Sequence, residues 1–331
     1  MNAIDRDLQG LRMGEALAHE ALAAHPLIRE SLNSKDYLTL DEALRLGTAR
    51  VTEVSEDGSV PHLLFSNRAD QAVFLLDGEE LVGAKQNRVL NITILAPAAK
   101  DTILPVSCVE AGRWRHTSSE FRSAPRAQYS ESRARKAGQV SASLAANRGA
   151  RSDQGEVWSD IEGKLGRMRS HSATRAVEQV FEDHESKLAR FVDGLPCVRG
   201  QVGAVFSIRG RPVGMEMFDS AETCVLLMPK IIRSYALDAI DPGYRPPGSQ
   251  IGSPGDLVER LRDAAYSSHQ AAGEGNDLRF EPTPGIAGGA LHARDRIVHL
   301  CAFVTAERRA RGDGNGYRYS ASMRRRFRNV A

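Results

Sequence analysis

Long apolar runs are missing from this sequence. No stretch of about 18 apolar residues occurs, so no segment reads as a helix spanning a bilayer. The N-terminus lacks the unbroken apolar core of a secretory signal, because Asp5, Arg6, Asp7 and Gln9 interrupt it. Cysteine is scarce: Cys108, Cys197, Cys224 and Cys301 are the only four in 331 residues, and none forms a CxxC pair. That scarcity excludes a disulfide scaffold and leads us to expect reduced thiols and a cytoplasmic protein. One-sided charge is also absent. Lys+Arg number 44 against 42 Asp+Glu, a net +2, so no global field calls for a nucleic-acid or membrane partner. No period of 20–50 residues repeats, which excludes a solenoid.

What is present is ordinary globular material, 41% hydrophobic and 26% charged. Leu8, Leu11, Leu17 and Leu22 suit one face of a helix, so residues 1–35 read as an N-terminal helical arm. Thr39 and Glu42 match a capping box opening a short helix that stops near Gly47. The apolar period then changes to two. Residues 49–54, 60–65, 72–76, 88–95 and 102–109 are strand candidates, spaced too closely for parallel crossovers. Stripes at Val157, Ile161, Leu165, Met168 and at Val177, Phe181, Leu188, Phe191 predict two helices. Residues 203–208 and 213–218 predict a hairpin about Arg209-Gly210. Asp219 reads as the cap of a further helix, with a kink or restart at Pro229. After a helix near Leu257 and Leu261, two last strands close the fold near Ala290 and at 297–303. Strands and helices fall in blocks, so the expected class is α+β: a largely antiparallel sheet core with helices packed on it. Residues 36–305 read as one such domain.

Residues 115–153 read as a long basic insertion. From Arg122 to Arg151 there are seven basic residues against one acid, Glu131. Such a segment is either a solvated loop or a lid that draws an anion. The chain from 306 onward carries eight arginines, either a mobile basic tail or a contact to nucleic acid.

The most informative stretch runs from Asp77 to Arg88. A turn of a few residues would connect the flanking strands, yet the chain places Glu79, Glu80, Lys85, Gln86, Asn87 and Arg88 there. Amides read hydroxyls, and a guanidinium forks onto phosphate or carboxylate. A second polar stretch follows a strongly apolar strand: Cys108, Glu110, Arg113 and Trp114. A buried Glu110 would need a partner, for which Arg88 and Arg113 are candidates. Two readings remain open for this set, a ligand site or an ion-paired support for the sheet. As a ligand site, Glu80 and Glu110 are the acid/base candidates, and Lys85, Gln86, Asn87, Arg88, Arg113 and Trp114 hold the ligand. A weaker grouping sets His292 and His299 opposite each other across a turn at Asp295-Arg296, with Cys301 on their face. The same residues also read as packed core, and no metal is assigned. The loop Glu281–Gly289 reads as a rigid turn or a ligand wrap.

The segments Glu53 to Pro61, Gly83-Ala-Lys-Gln-Asn-Arg88, Pro105-Val-Ser-Cys-Val-Glu110 and Gly112-Arg-Trp114 resemble a bacterial family. That family is named for its association with ADP-ribosylglycohydrolases and rhodanese-phosphatases. Segments at 203–205, 218–219, 234–236, 283–285 and 299–303 are similar too, so the resemblance covers roughly 37–303. It implies a link to NAD or ADP-ribose metabolism and names no reaction or cofactor. Its motifs fall on Gln86, Asn87, Arg88, Glu110 and Arg113. The expected partner is therefore a small anionic ligand of the ADP-ribose or nucleotide class. The alternative is a non-catalytic interaction module.

Overall fold

A computed structural model describes residues 3–30, 33–55, 58–281 and 285–307. The chain opens with helix α1 (Ala3–Gln9) and strands β1 (Leu11–Met13), β2 (Leu17–His19) and β3 (Leu22–Arg29). Strand β4 (Leu38–Thr39) leads into α2 (Leu40–Arg45). A run of strands follows: β5 (Ala49–Glu53), β6 (His62–Asn67), β7 (Val73–Leu75), β8 (Glu79–Gly83), β9 (Arg88–Leu90), β10 (Ile94–Ala96), β11 (Asp101–Cys108) and β12 (Phe121–Ala127). Four helices come next: α3 (Ser130–Ala145), α4 (Gln154–Met168), α5 (Glu178–Asp183) and α6 (Glu185–Gly194). The hairpin β13 (Gln201–Ile208) and β14 (Arg211–Phe218) precedes α7 (Ala221–Ile240) and α8 (Pro254–Arg262). Strands β15 (Tyr266–Gln270), β16 (Asn276–Phe280), β17 (Ile286–Ala293) and β18 (Arg296–Val304) end the described chain.

The described strands form three sheets. A closed barrel runs β11-β6-β5-β12-β8-β9 and is filled by Val51, Leu63, Phe65, Leu81, Leu90 and Leu104, all fully buried. A nine-stranded sheet runs β1-β3-β13-β14-β18-β17-β16-β15, with β2 paired to β3. A small sheet, β10-β7-β4, carries a parallel ladder between β4 and β7; the other described ladders are antiparallel. The class is α+β, as the block pattern predicts. Both faces of the nine-stranded sheet are covered. Ala204, Phe206 and Phe218 pack under α7, while Val205, Met215 and Met217 pack under α1 and α8. This is why every residue of β13 is buried. No helix among the described residues is long and apolar enough to cross a membrane.

Several local expectations match. Thr39 and Glu42 form the capping box, with the Glu42 amide donating to Thr39 Oγ1 and the Thr39 amide to Glu42 Oε2. The hairpin turn falls at Arg209-Gly210, both with positive φ. Others are corrected. The N-terminal helix is present but stops at Gln9, and residues 11–29 are strands rather than the rest of a helical arm. Gly10 and Gly14 weaken any helix there by about 1 kcal/mol each, and β3 gains a full ladder on β13 from Leu22↔Ile208 onward. The basic insertion 115–153 is also not one long loop, because β12 completes the barrel and α3 packs against β17 and β18 of the large sheet. Three of the seven basic residues from Arg122 to Arg151 turn inward, Arg126, Arg133 and Lys136, and Arg133 Nη1 lies 2.7 Å from Glu216; the other four stay exposed.

The cap of α7 is Ser220, whose hydroxyl accepts from the Thr223 amide, and the helix runs through Pro229 without restarting. Asp219 instead accepts from Tyr37 Oη at 2.5 Å and Arg296 Nε at 2.7 Å. The last hairpin turns at Arg294-Asp295, with φ of 53° and 58°, one residue earlier than expected. A register shift then sets His299 opposite Leu291 and His292 opposite Ile297, so the proposed histidine pair does not form. His299 is held by Thr93 at 2.7 Å and Glu216 at 3.1 Å, as packed core. Of the expected Gly/Pro loop, residues 282–284 lie outside the described residues, as does the Arg-rich tail from 308 onward.

Candidate functional site

The site is built where the β8–β9 hairpin meets the end of β11. The hairpin connection is Ala84-Lys85-Gln86-Asn87, with Ala84 at a φ of 39°. Antiparallel pairing sets Cys108 of β11 directly opposite Arg88 of β9. The chain then leaves β11, makes an isolated bridge between Glu110 and Ala176, and returns over the hairpin as an exposed loop, residues 114–120, before entering β12. Gly83 permits this return. At a φ of 136°, an added Cβ would lie 2.7 Å from both the Glu120 carbonyl oxygen and Ser118 Oγ. The loop is tied down by the Thr117 amide donating to Ala84 O and the Ala84 amide donating to Ser118 Oγ.

Five of the eight residues singled out from sequence, Gln86, Asn87, Arg88, Glu110 and Arg113, meet here in one hydrogen-bonded cluster, and Trp114 covers it with Lys85 beside the ring. Arg113 is saturated. Its Nε donates to both Glu110 oxygens at 2.9 Å, Nη1 to Ala84 O at 2.6 Å and to Thr117 Oγ1, and Nη2 to Asn87 Oδ1 at 3.1 Å. Glu110 also accepts the Asn87 amide at 3.0 Å. Burial pushes the Glu110 carboxyl up, but the hydrogen bonds from Arg113 and its neighbours outweigh it and hold the group below the usual glutamate range. Gln86 links the two strands: its Oε1 accepts from Arg88 Nη1 and from the Cys108 thiol, each at 3.0 Å.

Arg88 is the exception in this network. Its side chain has no exposed surface, yet Nε and Nη2 have no hydrogen-bond partner among the described residues. No carboxylate among the described residues pairs with it directly. Burial pulls its pKa down, countered by the nearby Cys108 and by the negative charge of Glu53. Trp114, 48% exposed, covers it, with the guanidinium carbon 5.7 Å from the ring centre and Lys85 Nζ at 5.4 Å. Burying a charged group with donors unmet costs free energy that the fold recovers only when an acceptor arrives.

Glu80 lies one step away. It is fully buried and bonded at 2.5 Å to Arg126, which lies 3.1 Å from Glu178; Glu178 in turn accepts from Asn87 Nδ2 at 2.9 Å. Burial raises the Glu80 carboxyl despite Arg126, and its Oε1 is unpartnered among the described residues. Arg126 and Glu178 thus join Glu80 to the cluster, and sequence reasoning missed both. Arg126 was hidden in the basic run, and nothing marked Glu178. Cys108 is completely buried and its thiol is pushed up by that burial, which suits an inert thiol better than a nucleophile.

Beside the hairpin opens a cleft of about 730 Å³, walled by Thr52, Glu53 and Ser55 on one side and by His116 to Ser119 on the other. Glu53 Oε1 accepts the Lys85 amide at 3.4 Å, so the cleft and the cluster share a wall. Glu53 was also missed as a site residue, although it opens one of the segments that carry the family resemblance. No group of three or more His, Cys, Asp or Glu side chains with metal-binding geometry occurs among the described residues.

No curated protein and no solved structure matches this chain. One family does, over residues 10–303: the ARG and Rhodanese-Phosphatase-superfamily-associated Protein domain. The match begins at residue 10, so it takes in the N-terminal strands that the sequence resemblance left outside. With most of its length matched, including the hairpin and loop that form the cluster, the chain belongs to the ARG and Rhodanese-Phosphatase-superfamily-associated Protein (ARPP-1) domain family.

Proposed function

We propose that this protein binds a small anionic ligand of the phosphorylated-sugar or nucleotide class, ADP-ribose among them, at Arg88 beneath Trp114. One observation carries the reading: a fully buried guanidinium with two unmet donor atoms, beside Lys85 and under a half-exposed indole. Phosphate oxygens match a guanidinium fork, and an indole face accepts a base or sugar ring. The family name adds the association with ADP-ribosylglycohydrolase proteins.

Should the site also process its ligand, Glu80 and Glu110 have different roles. The raised, partly unpartnered Glu80 is suited to carry a proton, whereas Glu110 is held ionised by Arg113 and orients the hairpin. A second reading, a non-catalytic module with a structural polar cluster, is favoured by the closed chain of contacts from Glu110 through Arg113, Asn87, Glu178 and Arg126 to Glu80.

Thermal shift with ADP-ribose, NAD and inorganic pyrophosphate separates the two. A ligand at a hundred times its Kd stabilises the fold by about 2.7 kcal/mol. Stabilisation of the wild type that disappears in Arg88→Met supports binding. No response from the folded wild type at millimolar ligand leaves the structural reading standing.

A further inference from the structure

The reading above gives Arg88 the ligand's charge and leaves open what else the ligand carries. The neighbouring cleft is informative because of what lines it. Among the described residues its walls hold the hydroxyls of Thr52, Ser55, Thr117, Ser118 and Ser119, one imidazole and one carboxylate, and no large apolar side chain. A lining of this kind gives a hydroxylated ligand many partners.

Glu53 is the decisive group. Its Oε1 accepts a long bond from the Lys85 amide, while its Oε2 is buried and has no partner among the described residues. A buried carboxylate oxygen requires a donor. In a ligand that donor is a cation, a neutral N–H or a hydroxyl, and the hydroxyl-rich walls suit the last. Lys85 stands at the shared wall, since a Cβ on Gly58 would touch both Lys85 Cδ and Glu53 Oε2, and the guanidinium of Arg88 is fixed under the same indole as Lys85. A cationic ligand group would enter against that positive charge. A hydroxyl would not, and two vicinal hydroxyls can share one carboxylate. A ribosyl phosphate combines both requirements, an anion for Arg88 and a diol for Glu53.

We propose that the cleft between Thr52–Ser55 and His116–Ser119 receives the ribosyl group of the ligand, with Glu53 accepting from its vicinal hydroxyls and setting specificity for ribose. This rests on the anion reading of Arg88, and the test keeps the two apart. Binding of ribose 5-phosphate, 2-deoxyribose 5-phosphate and inorganic pyrophosphate is measured by titration calorimetry on the full chain. Loss of one hydrogen bond to a charged acceptor corresponds to about tenfold in affinity. The wild type is therefore expected to bind ribose 5-phosphate about tenfold more tightly than the 2-deoxy sugar. In Glu53→Gln that ratio is expected to fall to within about threefold, while pyrophosphate binding persists. Equal affinity of the wild type for the two sugars, with pyrophosphate bound, overturns the assignment of Glu53 and leaves Arg88 in place. Absence of binding by all three probes overturns both. The wild-type comparison needs no variant, so a Glu53→Gln protein that fails to fold does not remove the test.

Discussion

Arg88 and Arg113 are neighbours with the same charge, yet they relate to the fold in opposite ways. Arg113 donates to Glu110, Asn87, Thr117 and three backbone carbonyls, so removing it strands a buried carboxylate. Arg113→Met is expected to cost about 3–5 kcal/mol in urea unfolding. Arg88 donates to Gln86 alone among the described residues, and an apolar group of similar length gives up little. Arg88→Met should leave unliganded stability unchanged or raise it by about 1–2 kcal/mol while abolishing the response to anions. A large loss of stability in Arg88→Met would instead place this residue with Arg113 as a structural support.

Lys136 tests burial through pH. Burial lowers its pKa to about 8, countered by Asp77 and reinforced by Arg133, and its ammonium donates to the Leu90 carbonyl. The folded state therefore releases this proton before the unfolded chain does, whose value is near 10.5. Between these limits the unfolded state binds more protons, so the lysine's contribution to stability rises with pH and is lost as pH falls through 8. Cys301 nearby is pushed up by burial and acts in the opposite sense above the usual thiol range. The useful quantity is thus the wild-type stability minus that of Lys136→Met, which should increase from pH 8 to 10. A flat difference would mean that Lys136 is not desolvated.

At the scale of elements, the β8–β9 hairpin and the loop above it act as one unit. Gly83 is the point of closest approach, with a φ outside the range of other residues and no room for a Cβ. Gly83→Ala is expected to cost about 1–3 kcal/mol of stability. It should also displace residues 116–120, so that Trp114 emission shifts and the anion response weakens. Trp158→Phe leaves Trp114 as the sole tryptophan for that measurement. Unchanged emission with unchanged binding would separate the loop from the site.

For the whole molecule, the N-terminal strands are integral. β3 covers the edge of β13 and contributes Leu22 and Leu27 to the cores on either side of the sheet. Deleting residues 1–30 is expected to abolish soluble, cooperatively folding protein, read by circular dichroism on thermal melting. Deleting 308–331 removes none of the described ladders and should leave the melting temperature within about 2 °C, which corresponds to no more than about 1 kcal/mol in a large domain. The tail remains our proposed nucleic-acid contact, and salt-sensitive RNA or DNA binding that survives this deletion would end that proposal.

Local chemistry was legible because its causes are local. The Thr39 capping box, the Arg209-Gly210 turn and the stripe of α4 each depend on residues a few positions apart. The α+β class followed from the blocks of period two and period 3.6. The polar residues of the candidate site could likewise be named, because amides, guanidinium groups and carboxylates are conspicuous between apolar strands. Their partners could not. Which arginine carries Glu110 and which is left with unmet donors depends on the pairing of β9 with β11 and on a loop returning over Gly83. Glu178 reaches Asn87 across 91 positions, and residues 11–29 became strands because β13, far along the chain, offered a ladder. Sequence therefore determined the elements and the chemical inventory of the site, since these follow from near neighbours. Tertiary structure alone decided which charges are satisfied, because burial and pairing arise only between segments that the chain order keeps apart.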